Sequence, residues 1–106
     1  MTDTPTDKAV HHDRPNSRFV LELDGATAEL IYDAEPRRLI LVHTEVPERL
    51  GGQGIGGQLV RAAVNHARDE RLTVVPWCSY ARRWMAQHPD ASANVPIDWE
   101  TLPPAR

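Results

Sequence analysis

The apolar positions along this chain change period twice, and the changes divide it. From Ser17, the stretch SRFVLELDGATAELIYDAEPRRLILVHTEV sets Phe19, Leu21 and Leu23 in alternation with Arg18, Val20 and Glu22. A period of two marks a strand with one buried face. Asp24-Gly25 follows, the kind of dipeptide that supplies the positive φ angles of a two-residue hairpin. Residues 26–32 read as the returning strand and 33–36 as a second turn. Residues 38–46 read as a third strand, whose run Leu39-Ile40-Leu41-Val42 suggests burial on both faces. The three form an antiparallel meander whose first strand keeps an isolated edge, open to pairing with another chain.

Pro47 breaks the third strand, and beyond the glycines the period becomes helical. Ile55, Leu59, Ala63 and Ala67 make an i,i+4 row with Val60 and Val64 beside it, which predicts a helix from about 54 to about 69. LTVVPWC, residues 72–78, is β-branched and predicts a strand. A strand, helix, strand succession of this length implies a right-handed parallel crossover, so 39–46 and 72–77 are expected to be neighbours. Ser79 stands where it can cap a second helix, YARRWMAQH, with Ala81, Trp84, Met85 and His88 on one face and Pro89 as its stop. The fold class is α/β in the mixed, α+β sense: an antiparallel three-strand meander, then helix, parallel strand and second helix. Residues 1–16 are polar, carry Pro5 and Pro15, and read as a flexible leader. Residues 17–92 read as the domain. Residues 93–106, with Pro96, Pro103 and Pro104, read as an irregular tail that docks through Ile97 and Trp99.

Composition narrows the class of function. A chain of 106 residues supports one core. No stretch approaches the ~20 apolar residues of a membrane span, and the N-terminus lacks the basic and apolar regions of a secretory signal, so a cytoplasmic setting is expected. The formal charge of −3 is scattered, with no one-signed surface, so neither nucleic acid nor membrane is an expected partner. Cys78 is the single cysteine, which excludes an internal disulfide and a thiolate metal site completed within one chain. His11-His12-Asp13 has metal-binding residue types but no further ligands, and no metal is expected.

Five of the six glycines fall in GGQGIGG, residues 51–57. Glycine is costly to order, so such density marks backbone that something must approach closely. A P-loop requires Lys-Ser or Lys-Thr after the glycines, and neither pair follows. A dinucleotide fingerprint is formally present at Gly52, Gly54 and Gly57, but the acid expected about 20 residues on is missing and a meander precedes the motif. A third reading needs no cationic side chain: successive backbone N–H groups at a helix N-terminus cradle an anion.

The combination of GQGIG with PWCSYARRWMAQHP resembles the small single-domain branch of the GNAT superfamily, the acyl-CoA-dependent N-acetyltransferases, over roughly residues 17–92. The resemblance implies that Gly51, Gly52, Gln53, Gly54, Ile55, Gly56 and Gly57 hold the coenzyme A pyrophosphate. It further implies that Thr44 to Val46 pair with the pantetheine arm, and that the thioester lies between that strand and 72–77, where Cys78 and Ser79 form the corner. In the superfamily pattern Q/R-x-x-G-x-G/A, with Gly54 and Gly56 as the last two positions, Gly51 takes the place of the first side chain. Larger members carry helices after the first strand that build the acceptor pocket, whereas here only a turn separates Leu23 from Ala26. Many also carry a tyrosine well inside the last helix, and this chain has Met85 and Ala86 near that place, with Tyr80 in the first turn.

The residues themselves offer three catalytic candidates. Cys78 ends a strand just before a helix N-terminus, where partial positive charge favours a thiolate; it either accepts the acetyl group or lines the pocket. His43 and Glu45 are two apart on one strand and share a face, so either can serve as general base, or both are polar groups on a solvated face. Arg82 and Arg83 read as a solvated helix face within reach of phosphates. Two functions follow: an acetyl-CoA-dependent N-acetyltransferase acting on an unidentified amine, or an acyl-CoA-binding module or sensor with little turnover. A nucleotide-binding fragment of another α/β type is the weaker third.

Overall fold

The computed structural model describes residues 10–104. Five strands form one sheet in sequential order: β1 (Val10–Asp13), β2 (Arg18–Leu23), β3 (Ala26–Ala34), β4 (Arg38–Glu45) and β5 (Thr73–Pro76). The first four pair antiparallel, and β5 lies parallel to β4 with Leu39 beside Val74 and Leu41 beside Pro76. Helix α1 (Ile55–Glu70) makes the crossover, and α2 (Ser79–Gln87) follows β5. The predicted fold class is therefore the observed one. At the β2–β3 hairpin, Asp24 and Gly25 both take positive φ (53° and 77°), the primed turn whose twist matches the flanking strands.

Both helices cover one face of the sheet. Phe19, Leu21, Leu30, Leu39, Leu41 and Val74 meet Leu59, Val60, Ala63, Val64 and Ala67 of α1 and Ala81 and Met85 of α2 in a continuous core. Val20, Ile40 and Val75 alternate with that set and are buried on the opposite side.

Three expectations need correction. Residues 1–9 of the expected leader lie outside the described residues, but 10–16 do not run free: Val10–Asp13 form β1 against β2, and Arg14–Asn16 make a 3-10 turn. The edge expected at β2 is thereby covered. His12 explains why the pattern concealed this: its imidazole stacks on Phe19 at 4.2 Å and bonds the Tyr32 hydroxyl at 2.6 Å, so a polar residue type does the packing of an aromatic one. Val42, expected to be buried with its neighbours, is 36% exposed because the β3–β4 register slips there. Tyr32 pairs with Leu41 but Ile31 with His43, which leaves Val42 as the extra residue of a bulge. Ser79 is the first helical residue of α2 and is exposed; Cys78 holds the cap position, and no side chain caps that end.

The C-terminal segment docks as expected through Ile97, though by backbone as much as by side chain. The Val74 amide donates to Pro96 O (2.9 Å) and Val74 O accepts from the Asp98 amide (2.8 Å), so this segment shields the outer edge of β5. Trp99 remains exposed, with the Arg82 guanidinium 5.6 Å over its ring.

Candidate active site

The bulge at Val42 sets the geometry of the site. Beyond it, Thr44 pairs with Leu30 and faces the helices, whereas His43 and Glu45 pair with Ile31 and Glu29 and face away from them. Meanwhile β5 ends: Leu41 O accepts the amides of both Trp77 (3.0 Å) and Cys78 (2.9 Å), and the chain turns into α2. Strand β4 thus outlasts its parallel neighbour. His43, Thr44 and Glu45 pair with β3 on one side and, among the described residues, with no strand on the other.

Across this splay the Thr44 hydroxyl lies 3.2 Å from Cys78 Sγ, and Cys78 is 7% exposed. On the opposite face His43 Nε2 and Glu45 Oε1 are 2.9 Å apart, with more than half of each side chain in solvent. The sequence placed all three candidates near one strand end. The structure brings Cys78 and Thr44 together, joins His43 to Glu45, and sets the two pairs on opposite faces.

Next to the splay is a cleft of about 220 Å³. Val46, Gly51, Gly52, Gly54, Ile55 and Gly56 line it, all of them among the residues suggested by resemblance. Two further walls, Leu50 and Tyr80, escape sequence reasoning. Leu50 is the buried residue of the 3-10 turn Glu48–Leu50, and Tyr80, in the first turn of α2, was read there only against the place of the missing tyrosine. Burial, and secondarily Cys78, push the Tyr80 hydroxyl above its ordinary pKa, so it is a neutral hydrogen-bond donor at pH 7. Gln53 is exposed on the loop, Ser79 is exposed on α2, and Gly57 is buried beneath Trp84.

The glycines divide by physical role. Gly52 and Gly54 take positive φ (77° and 73°), with open space where a Cβ would stand. Gly56 and Gly57 are helical but crowded: an added Cβ would lie 2.8 Å from the Tyr80 ring and 2.4 Å from Trp84 Nε1. Two glycines therefore shape the loop and two let α2 lie against α1.

A family model described as GCN5-related N-acetyl-transferase matches residues 18–95. The chain belongs to that family. This GCN5-related domain is also similar to the protein NATD1 of several vertebrates. It is 34% identical to the Gallus gallus protein over 83 residues, 76% of each chain. For the Homo sapiens protein the figure is 34% over 83 residues, 76% of this chain and 74% of the relative. The Danio rerio protein is 31% identical over 92 residues, 84% of each. Acetyltransferases of this fold generally take acetyl-CoA as acyl donor, and no three His, Cys, Asp or Glu side chains converge on a metal site among the described residues.

Proposed function

We propose that this domain transfers an acetyl group from acetyl-CoA to an amine, with the glycine cleft seating the donor's pyrophosphate. One juxtaposition carries the reading: an uncapped helix N-terminus built of glycine stands beside a strand that outruns its partner, with Cys78 between. The cap of α1 is Gly54, which has no side chain to offer. The Gln58 amide closes the first turn on Gly54 O at 3.1 Å, which leaves the amides of Ile55, Gly56 and Gly57 without acceptors inside the helix. Those donors and the helix dipole suit an anion, each charge-assisted bond contributing about 1.5 to 3 kcal/mol. The free side of Thr44–Glu45 supplies main-chain groups for the pantetheine arm, and the thioester reaches the splay at Thr44 and Cys78.

Two balanced routes fit this arrangement. In direct transfer a neutral amine attacks the thioester carbonyl, the C–S bond breaks to expel the coenzyme A thiolate, and the proton the amine gives up to solvent or to the His43–Glu45 pair is returned through solvent to that thiolate. In the covalent route Cys78 first takes the acetyl group, its own proton going to the departing coenzyme A thiolate; the amine then attacks the new thioester, its C–S bond breaks, and the amine's proton restores the Cys78 thiol. A second reading, an acyl-CoA-binding module with little turnover, is favoured by the face bearing His43 and Glu45, where a two-residue turn between β2 and β3 leaves no helix to build an acceptor pocket.

Incubation with acetyl-CoA and an amine panel decides between them. Transfer requires amine-dependent release of free thiol; the covalent route adds an acetyl adduct on Cys78 by intact mass and loses turnover in Cys78→Ala. Binding without release under every amine establishes the module. No heat and no amide shifts in the glycine loop, from a folded sample, rule out both.

A further inference from the structure

A second cavity lies away from the glycine cleft. It occupies about 260 Å³ between β1 and α1, with His12 and Phe19 on the sheet side and Arg61, Asn65, His66 and Asp69 on the helix side. We propose that His12 is an acid-sensitive latch that holds edge strand β1 to the domain: taking up a proton releases Val10–His12 from β2, while Asp13 stays anchored as the pivot.

The argument begins with what holds a four-residue edge strand. Val10, His11, His12 and Asp13 pair with Leu21, Val20, Phe19 and Arg18; Val10 and His12 share the face that lines the cavity, and of the two only His12 carries a group that can take up a proton. There it stacks on Phe19 (4.2 Å, 17°), meets the Tyr32 hydroxyl at 2.6 Å, and stands edge-on to the His66 ring at 4.6 Å. Two imidazoles this close repel once both carry a proton, so charging the pair works against docking.

Every element around His12 contributes to the balance. From α1 come His66 and Arg61, with the carboxylates of Asp69 and Glu70 acting mainly near His66; from β3, the Tyr32 phenol; from the adjacent backbone, His11, Asp13 and Arg14. Burial, then His66, Arg14 and His11 disfavour the cation, and only Asp13 favours it, so His12 is lowered to about 4. Asp13 is itself committed: the Arg18 guanidinium (2.8 Å) and Asn16 hold its carboxyl below the ordinary aspartate value, so that anchor survives moderate acid.

The sign follows from linkage. Docked β1 keeps His12 neutral, whereas released β1 lets it protonate near 6.5, so docking is strongest above that pH and weakens as pH falls toward 4. Between pH 7.5 and 5 the docking equilibrium should shift roughly thirty-fold toward release if His12 alone is responsible.

NMR on the full chain tests this, following the His12 Cε1–H shift together with the amides of Val10–Asp13 and of β3–β5 from pH 7.5 to 4.5. The expected result is a His12 midpoint well under 6.5, with Val10–His12 amides moving to random-coil positions on the same curve while β3–β5 stay dispersed. In His12→Phe, which keeps the stack on Phe19 without a titrating nitrogen, β1 should stay docked throughout. Protonation of His12 with β1 still docked overturns the proposal. So does loss of β1 only together with the whole sheet, or acid release that persists in His12→Phe. The wild-type titration decides the matter even where the variant does not fold.

Discussion

A Cβ at Gly57 would come within 2.4 Å of the Trp84 indole nitrogen, and the ring has little freedom to yield because His88 stacks on it (4.2 Å, 15°) and Arg61 lies over it. Gly57→Ala should therefore force α1 and α2 apart and cost about 1 to 3 kcal/mol, as overpacking does, read from the urea midpoint. Gly52→Ala meets open space and only the strain of a positive φ, about 1 kcal/mol. Its effect should fall on the proposed donor site instead: a Cβ standing in the cleft holds the pyrophosphate off the loop, and losing about one charge-assisted bond weakens acetyl-CoA about tenfold, since 1.4 kcal/mol is a factor of ten. Calorimetry on both variants checks the division. If Gly57→Ala weakens acetyl-CoA as strongly as Gly52→Ala does, while the fold is intact, the glycines do not separate into packing and loop roles. Glycine density alone signalled close approach at 51–57, but not that part of what approaches is the chain's own Tyr80 and Trp84.

At the scale of elements, α1 ends on a residue that its end disfavours. Arg71 sits in left-handed backbone (φ 58°), where its amide donates to Arg68 O (3.3 Å) and the Leu72 amide reaches back to Ala67 O (2.8 Å). Glycine is the usual occupant of that position because it lacks the Cβ clash. Arg71→Gly should raise stability by about 0.5 to 1 kcal/mol, the relieved strain exceeding the added chain entropy. An unchanged or lowered thermal midpoint would show that the arginine stem contributes packing that glycine forfeits. The elements themselves were largely legible. Alternation at Phe19 and Leu21, the Asp24-Gly25 turn and the Ile55–Leu59–Ala63–Ala67 row each report a local physical preference that tertiary packing leaves unopposed. What stayed hidden depends on partners distant in sequence. Strand β1 rests on His12 meeting Phe19, Tyr32 and His66, and no periodicity within VHHD announces that. The bulge at Val42 is a mismatch between two strands, and it alone decides that Thr44, not His43, faces Cys78.

As a whole, the molecule has a radius of gyration of 13.3 Å, that of a single compact globule of about this length, with α1 and α2 packed into one core on the same sheet face. Its perturbed ionisable groups set the pH range of that globule. His12 and His66 are held below their ordinary 6.5, chiefly by burial, so unfolding takes up protons as pH drops below that value and stability declines toward pH 4. Asp13, bonded by Arg18, and Asp98, bonded by Thr101 (2.6 Å), are held below 3.8, so their contribution is present above that value and disappears only at lower pH. Tyr32 and Tyr80 are raised above 10.0 by burial, which makes the alkaline limb begin near that pH, where an unfolded chain gives up phenolic protons first. The expected profile is a plateau between about 6.5 and 10 with a two-step acid limb, histidines before carboxylates. Urea midpoints measured across pH 3 to 11 test it. The His12→Phe, His66→Phe double variant should keep full stability down to the carboxylate step. A single acid limb that begins below pH 4 in the wild-type chain would mean that neither imidazole is enclosed as the packing of β1 against α1 requires.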